Sequence, residues 1–372
     1  MLIYIVLMIA ILVGGYAFHA NETKYAKKIF VILVCFAIVF LGAFRSIDVG
    51  IDTKQFWNAF LRINELSIVD VWSTRYEPGF VILCYILGLI SDSPQILLIA
   101  SSIIIFVPCF IFIYKNSEDV VLSSFLFVAL GTYGLFLNLM RQGIAVAIIL
   151  LGIEFFYKKK KYVLFVLMCI LAMQFHLSAI IAIAIFAFPL IKQWTASKMI
   201  WATSLIPVVF AMATLLFYVF ALLFGYSSYS ESQYVGSNYF AALIKAAMNY
   251  VYLGLIIFVG GFLKEEYRKD ASGKITLINE DNRFVDTFFI SLLFLQGYFY
   301  VCSMNILLMG RIAIYFSIFT IIILPRVVVN AKKVMTKFTL LYFILVMSFI
   351  YWIIVAVFRP YWTGEIPYIF FI

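Results

Sequence analysis

Residues 138–176 read NLMRQGIAVAIILLGIEFFYKKKKYVLFVLMCILAMQFH, and this stretch decides the fold. Two apolar runs lie on either side of four consecutive lysines, Lys158–Lys161. Short loops rich in lysine stay on the cytoplasmic side of a membrane, so the pattern predicts a helical hairpin whose open ends lie outside. At a rise of about 1.5 Å per residue, Arg141 and His176 then reach a similar depth near the outer surface.

The composition is that of a polytopic membrane protein. Of the 372 residues, 66% are hydrophobic and 12% are charged, which is more apolar than a soluble domain requires. The net charge of +9 comes mostly from lysines in short loops. Because topology explains this excess, no nucleic-acid partner is expected. The sequence also lacks clustered metal ligands and a glycine-rich phosphate loop, so neither a metal nor another cofactor is expected.

The apolar runs predict an all-α fold with about 12 transmembrane helices, in a single transmembrane domain over residues 1–372 with both termini outside. One run does not fit, because Gly79–Ile90 has only about 12 residues and a full span needs roughly 20. We interpret residues 79–91 as a re-entrant or tilted segment with both ends outside. The alternative inverts the first two spans, and the count of positive residues does not decide between the two.

The first large outer loop, residues 46–77, contains a helix of another kind. Phe56, Phe60 and Ile63 recur at helical spacing with charged residues between them. This pattern is typical of an amphipathic helix that lies in the outer interface of the membrane.

Arginine and lysine separate by side under this topology. Most lysines fall inside, as the positive-inside rule requires, whereas six arginines fall outside: Arg45, Arg62, Arg75, Arg141, Arg311 and Arg359. Arginine is suited to bidentate contacts with phosphate, so the set predicts an outward-facing site for a phosphate or diphosphate. The alternative is a set of interfacial arginines that pair with nearby acids, namely Asp48, Asp52, Glu77 and Glu365.

Three ionisable residues on the outer side are candidates for a general base. Asp52 follows a span, Glu77 precedes the short segment, and His176 ends the hairpin. Each can take a proton from a hydroxyl group if burial and nearby arginines tune its pKa. The depth of His176 favours it first, and Asp52 comes next. The alternative for His176 is an interfacial histidine bonded to a backbone carbonyl.

An ordered series of short motifs runs through the chain. Its members are Arg45–Asp48–Gly50–Asp52–Thr53, Arg75–Tyr76–Glu77–Pro78–Gly79, Asn138 with Arg141–Gln142–Gly143, Phe175–His176–Leu177–Ser178, and Arg311 with Tyr315. In this order, and over nearly the whole chain, the sequence resembles the EpsG family, whose members are bacterial exopolysaccharide polymerases of the Wzy type.

The resemblance implies an enzyme of the bacterial plasma membrane, similar in architecture to GT-C-like membrane glycosyltransferases, with its active site facing the periplasm or cell exterior. Such a polymerase transfers a growing glycan from undecaprenyl diphosphate to the non-reducing end of a lipid-linked repeat unit. Its partners are the lipid-linked donor and acceptor oligosaccharides, the bilayer, and other assembly proteins such as a chain-length regulator and a flippase. No cofactor is implied.

The residues and the resemblance together assign roles at one site. The diphosphate contacts are Arg141, Arg311, Arg75 and Arg45, and the base is His176, Asp52 or Glu77. Further substrate contacts are assigned to Gln142, Tyr76, Asn138, Tyr315 and Arg359.

Other functions stay open at this point. A transporter or flippase for lipid-linked oligosaccharide is expected to show internal repeats or paired broken helices, and the sequence shows one short segment without a counterpart. A non-catalytic scaffold and a ligase or acyltransferase for surface glycans are the remaining alternatives.

Overall fold

The computed structural model describes residues 1–67, 74–190, 239–259, 267–269, 275–277, 280–331, 333–358 and 364–371, with scattered positions between 198 and 215. Within these residues the chain is helical apart from one hairpin, which pairs Tyr267–Lys269 with Ile275–Leu277 in antiparallel register. The chain divides into two compact units, Met1–Ile183 with Thr339–Ile372 and Ala184–Phe338. Each is described by itself.

The first unit begins with nine α-helices among the residues described. They are α1 Leu2–Ala17, α2 Lys24–Ala43, α3 Thr53–Glu65, α4 Pro78–Gly88, α5 Gln95–Asn116, α6 Val120–Ala129, α7 Thr132–Asn138, α8 Met140–Gly152 and α9 Tyr162–Met173. A π-helical turn, Ile153–Tyr157, continues α8, and a 3-10 helical stretch, Leu177–Leu190, follows α9.

The second unit contains the helices between this stretch and the C-terminal helix. They are α10 Tyr239–Val259, α11 Glu280–Cys302, α12 Leu307–Ala313, a 3-10 turn Ile314–Phe316, and α13 Ser317–Val329. The last helix, α14 Val334–Phe358, begins in the second unit and continues into the first. Buried amides and hydroxyls connect three helices of this unit, because Gln296 Oε1 accepts from Asn249 Nδ2 at 3.0 Å and from Thr320 Oγ1 at 3.1 Å.

The helices identify a multi-pass membrane protein. In the described part of the chain, five helical segments are long and apolar enough to cross a membrane: Lys24–Ala43, Gln95–Asn116, Met140–Tyr157, Met309–Val329 and Val334–Phe358. Helices α6 and α7 make a sixth if this pair, bent by 52°, is one span. Several further helices are apolar but shorter. The all-α prediction is therefore confirmed in outline, whereas the predicted count of about 12 spans is not.

The polar ends of the first unit's helices form two separate groups. On the lysine side, Lys27 Nζ donates to Ser117 O at 2.7 Å. Glu154 there accepts from Asn116 at 3.0 Å and pairs with Lys158 at 2.8 Å. These contacts connect the start of α2, the end of α5 with the residue after it, and the lysine turn, so the predicted hairpin and its lysine turn are present. Arg45, Glu77 and Arg141 belong to the opposite group.

Helix α4 is too short to cross a membrane. It has 11 residues, about 16 Å at 1.5 Å per residue, against a hydrocarbon core of about 30 Å. Glu77, at its start, is bonded to Arg141. Beyond its end, Gln95 Nε2 donates to the carbonyl oxygen of Ala43, beside Arg45. Both ends therefore lie on the arginine side, which agrees with the re-entrant interpretation and not with inversion of the first two spans.

The amphipathic helix of the outer loop is present as α3, but its apolar face has a different partner from the one expected. Phe56, Phe60 and Ile63 are buried, and the rings of Phe56 and Phe80 lie 5.7 Å apart. The apolar face packs on α4 rather than on lipid. Periodicity reveals that a helix has an apolar face, but it does not reveal what covers that face.

The C-terminal strap, residues 364–371, lies along the loop that follows α2. Backbone hydrogen bonds fix it there: Ser46 N to Ile369 O at 2.8 Å, Phe371 N to Phe44 O at 2.8 Å, and Gly50 N to Gly364 O at 2.7 Å. Arg45 and Phe370 form an isolated antiparallel bridge between the two segments. The strap therefore closes the outer end of the first unit over Arg45.

Glu365 of the strap provides a test of how the strap is held. It is buried against the backbone of Gly134, and burial raises its pKa from 4.5 to about 7. The folded chain thus binds this proton more tightly than the unfolded chain, so stability is greatest below pH 4.5 and falls as the pH rises to about 7. We expect the melting temperature of the protein in detergent to fall over this range, and Glu365→Gln to remove most of the decrease.

The matched control is Glu65→Gln, because Glu65 is exposed at the end of α3. This variant is expected to keep the wild-type pH profile. An unchanged profile in Glu365→Gln would show that another group causes the decrease.

Candidate active site

An ion pair joins the start of α8 to the residue before α4. Arg141 Nη1 donates to Glu77 Oε2, and 21% of each side chain is exposed. The second carboxylate oxygen of Glu77 accepts from the backbone N–H of Leu177 at 3.4 Å. The outer loop, the start of the hairpin and its end therefore meet at one carboxylate, in a position that a ligand can reach.

Aromatic rings surround the guanidinium group of Arg141. Its central carbon lies 5.0 Å from the ring centre of Tyr76 and 5.9 Å from those of Phe56 and Phe80. Cation–π contacts of this kind hold the group without occupying its N–H donors. The buried Nε of Arg141 has no hydrogen-bond partner among the described residues. Because 21% of the side chain is exposed, an anionic ligand can reach the guanidinium from solvent.

His176 lies beside the ion pair, and its hydrogen bonds determine its tautomer. Its Nδ1 accepts from the backbone N–H of Ser178 at 3.3 Å and lies 3.1 Å from the Ser178 hydroxyl. A backbone N–H can only donate, so Nδ1 holds a lone pair and the neutral ring has its proton on Nε2. Nδ1 is 3.9 Å from Glu77, too far for a hydrogen bond. Nε2 of this tautomer donates a hydrogen bond rather than accepting one.

Arg75 lies at the edge of this cluster, and Asp52 lies at the start of α3. Arg75 is exposed, with its guanidinium 5.3 Å from the ring centre of Tyr76 and 3.4 Å from its hydroxyl. Asp52 immediately precedes α3, and its carbonyl oxygen accepts from the N–H of Phe56, one turn along the helix. The structure thus brings together Arg75, Tyr76, Glu77, Arg141 and His176, which the sequence analysis had assigned to one site.

Arg45 does not fit its predicted contact with a diphosphate. Only 1% of it is exposed, and its guanidinium donates to the carbonyl oxygens of Gly42 and Leu137. The strap covers it, so the structure assigns it to the interior of the protein. The sequence did not show that the C-terminal segment folds over this residue.

Asn138 and Gln142 are also buried, with 4% and 1% exposed. Asn138 Oδ1 accepts from the backbone N–H of Ile51, and Nδ2 donates to Gly134 O at 2.9 Å. Asn138 thereby fastens the outer loop to the break between α7 and α8. Both side chains are buried, and their predicted contacts with substrate stay a prediction.

The remaining predicted residues lie elsewhere in the chain. Arg311, exposed on α12, and Tyr315, buried in the 3-10 turn, belong to the second unit. Arg359 lies outside the described residues. Phe80 and Ser178 were not predicted as site residues. Phe80 belongs to an apolar run, and Ser178 has no sequence feature that distinguishes it from other serines. Their contacts with Arg141 and His176 reveal them.

Comparison with known proteins agrees with this arrangement of residues. The model of the EpsG family matches residues 28–370. The chain belongs to the EpsG family. The match covers nearly the whole chain and includes every residue of the cluster, so the resemblance seen in the motifs is confirmed. No curated protein and no solved structure matches this EpsG-family chain. Membership indicates an exopolysaccharide polymerase of a Wzy-like kind.

Asn138 allows a test of the loop attachment. Asn138→Ala leaves the N–H of Ile51 and the carbonyl of Gly134 without their partner, and a lost buried hydrogen bond of this type costs about 1–3 kcal/mol. We expect a lower melting temperature and greater protease sensitivity in residues 46–52. Asn58→Ala, on the exposed face of α3, is the control and should melt like wild type. Equal melting of both variants would contradict the structural role.

Proposed function

We propose that this chain polymerises exopolysaccharide at the outer face of the plasma membrane. It transfers a growing glycan from undecaprenyl diphosphate to the non-reducing end of a lipid-linked repeat unit. The observation that supports this reaction best is the partly exposed Arg141–Glu77 pair, which lies at the end of the first unit opposite the lysine turn. A cation for a diphosphate and a base for a hydroxyl group are in contact there.

Arg141 is proposed to stabilise the leaving diphosphate. Breakage of the bond between the anomeric carbon and phosphate leaves negative charge on the phosphate oxygen, and a guanidinium in a partly dehydrated site stabilises that charge. Arg75, exposed on Tyr76, is placed to add a second contact. Arg45 is left out because it is buried. Arg311 belongs to the second unit, and its contact with the diphosphate stays a prediction.

Binding of the donor is proposed to activate the base. In the structure, Glu77 occupies the Nη1 side of the Arg141 guanidinium. A diphosphate competes for the same donors through charge-assisted hydrogen bonds, so its binding releases the carboxylate from the pair. An enzyme of this design has an available base only when a donor is present.

Glu77 then takes the proton of the acceptor hydroxyl group. The hydroxyl oxygen attacks the anomeric carbon, the new glycosidic bond forms, and the electrons of the broken bond leave with the diphosphate. A single displacement of this kind inverts the anomeric configuration. His176, with its proton on Nε2, is proposed to donate a hydrogen bond to substrate, and Asp52 is kept as a weaker candidate for the base.

The role of Arg141 can be tested with Arg141→Ala. We expect polymer to disappear and single lipid-linked repeat units to accumulate, because the leaving diphosphate loses its main positive contact. Arg141→Lys keeps the charge but not the bidentate geometry and should retain partial activity. The measurement is polymer length and yield on gels, from purified protein with lipid-linked units and without nucleotide.

The control is Arg62→Ala, since Arg62 is exposed on α3 and lies outside the cluster. It should make polymer of normal length. Normal polymer from Arg141→Ala would overturn the proposal, and transport of lipid-linked units without polymer in wild-type protein would favour the flippase alternative.

The identity of the base is tested by a pair of substitutions. Glu77→Gln keeps the size of the side chain but cannot accept the proton, so we expect the polymerisation rate to fall about 10²–10⁴-fold. His176→Gln keeps a hydrogen-bond donor and should lose much less. The reverse order of effects, measured as initial rates at saturating donor, would identify His176 as the base.

A further inference from the structure

The ion pair depends on a contact that the catalytic chemistry does not use. The backbone N–H of Gly79, in the first turn of α4, donates to the carbonyl oxygen of Gln174 at 2.8 Å. Gln174 is the residue that ends α9. The first N–H groups of a helix and its last carbonyl groups have no partner within the helix. Here the N–H of Gly79 at the start of α4 and the carbonyl group of Gln174 at the end of α9 satisfy each other.

Only glycine permits this approach. A Cβ atom on Gly79 would lie 2.7 Å from the carbonyl oxygen of Gln174, 2.9 Å from its Cβ and 3.0 Å from its carbonyl carbon. Two of these three atoms are backbone, so a rotamer change does not remove the overlap. Ordinary contact begins at 3.4 Å, so α4 and the end of α9 would have to separate by about 0.7 Å, the difference between 3.4 and 2.7 Å.

The contact lies next to the groups of the proposed site. Glu77 precedes Gly79 by two residues, and His176 follows Gln174 by two. The hydrogen bond from Leu177 N to Glu77 is already 3.4 Å long, so a further separation of this size breaks it. The Glu77 carboxylate would then lose its fixed position relative to His176.

We propose that Gly79 is a positioning residue, which holds the Glu77 carboxylate against the end of the hairpin through the Gln174 carbonyl. This inference rests on the proposed polymerase function. Alanine favours a helix more than glycine does, and Gly79 has ordinary helical geometry. Alanine here is therefore compatible with α4 itself and changes only where α4 docks.

The experiment compares Gly79→Ala with Gly14→Ala. Gly14 also lies in a helix, and an added Cβ there meets nothing within 4 Å. Both variants are purified in detergent, and kcat, KM for the lipid-linked donor and melting temperature are measured. A displacement of this size is expected to lower the kcat of Gly79→Ala about 10- to 100-fold, with a KM close to that of Gly14→Ala. The weakened hydrogen bonds also lower its melting temperature, so activity is measured well below the melting temperatures of both variants.

Two results would overturn the positioning role. One is a kcat for Gly79→Ala within twofold of that for Gly14→Ala. The other is a kcat that falls only in proportion to the folded fraction of Gly79→Ala at the assay temperature, since that indicates a role in stability alone. If the wild-type protein does not polymerise lipid-linked units, the proposed function is wrong. This result is distinguishable from a failure of the positioning role, which appears only in the comparison of the two variants.

Discussion

The ion pair between Arg141 and Glu77 is the interaction on which the arrangement of the first unit's outer end depends. It joins two segments separated by 64 residues, and a charged group near hydrocarbon is stable only when it is paired or hydrated. Because the pair is needed, the short helix α4 returns to the side from which it came. The aromatic rings of α3 and α4 then close around the guanidinium, and the loop before α4 acquires its position.

The contrast between two arginines shows how one residue type serves two purposes. Arg45 follows an apolar run and Arg141 begins one, and the sequence predicts both on the outer side. The sequence gives no reason to expect different roles for them. Arg45 is covered by the C-terminal strap and bonded to carbonyl groups. Arg141 keeps 21% of its side chain exposed beside Glu77. Burial, rather than charge or position along a helix, therefore decides which arginine can meet a substrate.

Much of the candidate site was predictable from sequence, and the roles within it were not. Charge and motif order brought Arg75, Glu77, Arg141 and His176 to one side of the membrane. Depth along the hairpin favoured His176 as the base. The proposal puts Glu77 first instead, because a backbone N–H two residues further on donates to Nδ1 of the ring and favours the tautomer with its proton on Nε2. No periodicity or composition reports the direction of a single N–H bond.

The sequence by itself determined the class of protein and the helical hairpin with its lysine turn, and it predicted the side on which each charged residue lies. These follow from the transfer of side chains between water and hydrocarbon, which depends on local composition. Only the tertiary structure decided that α3 packs on protein, that the strap buries Arg45, and that Glu77 contacts both Arg141 and Leu177. Such contacts join segments 64 and 100 residues apart, and they depend on the shapes of both surfaces, which no single stretch of sequence contains.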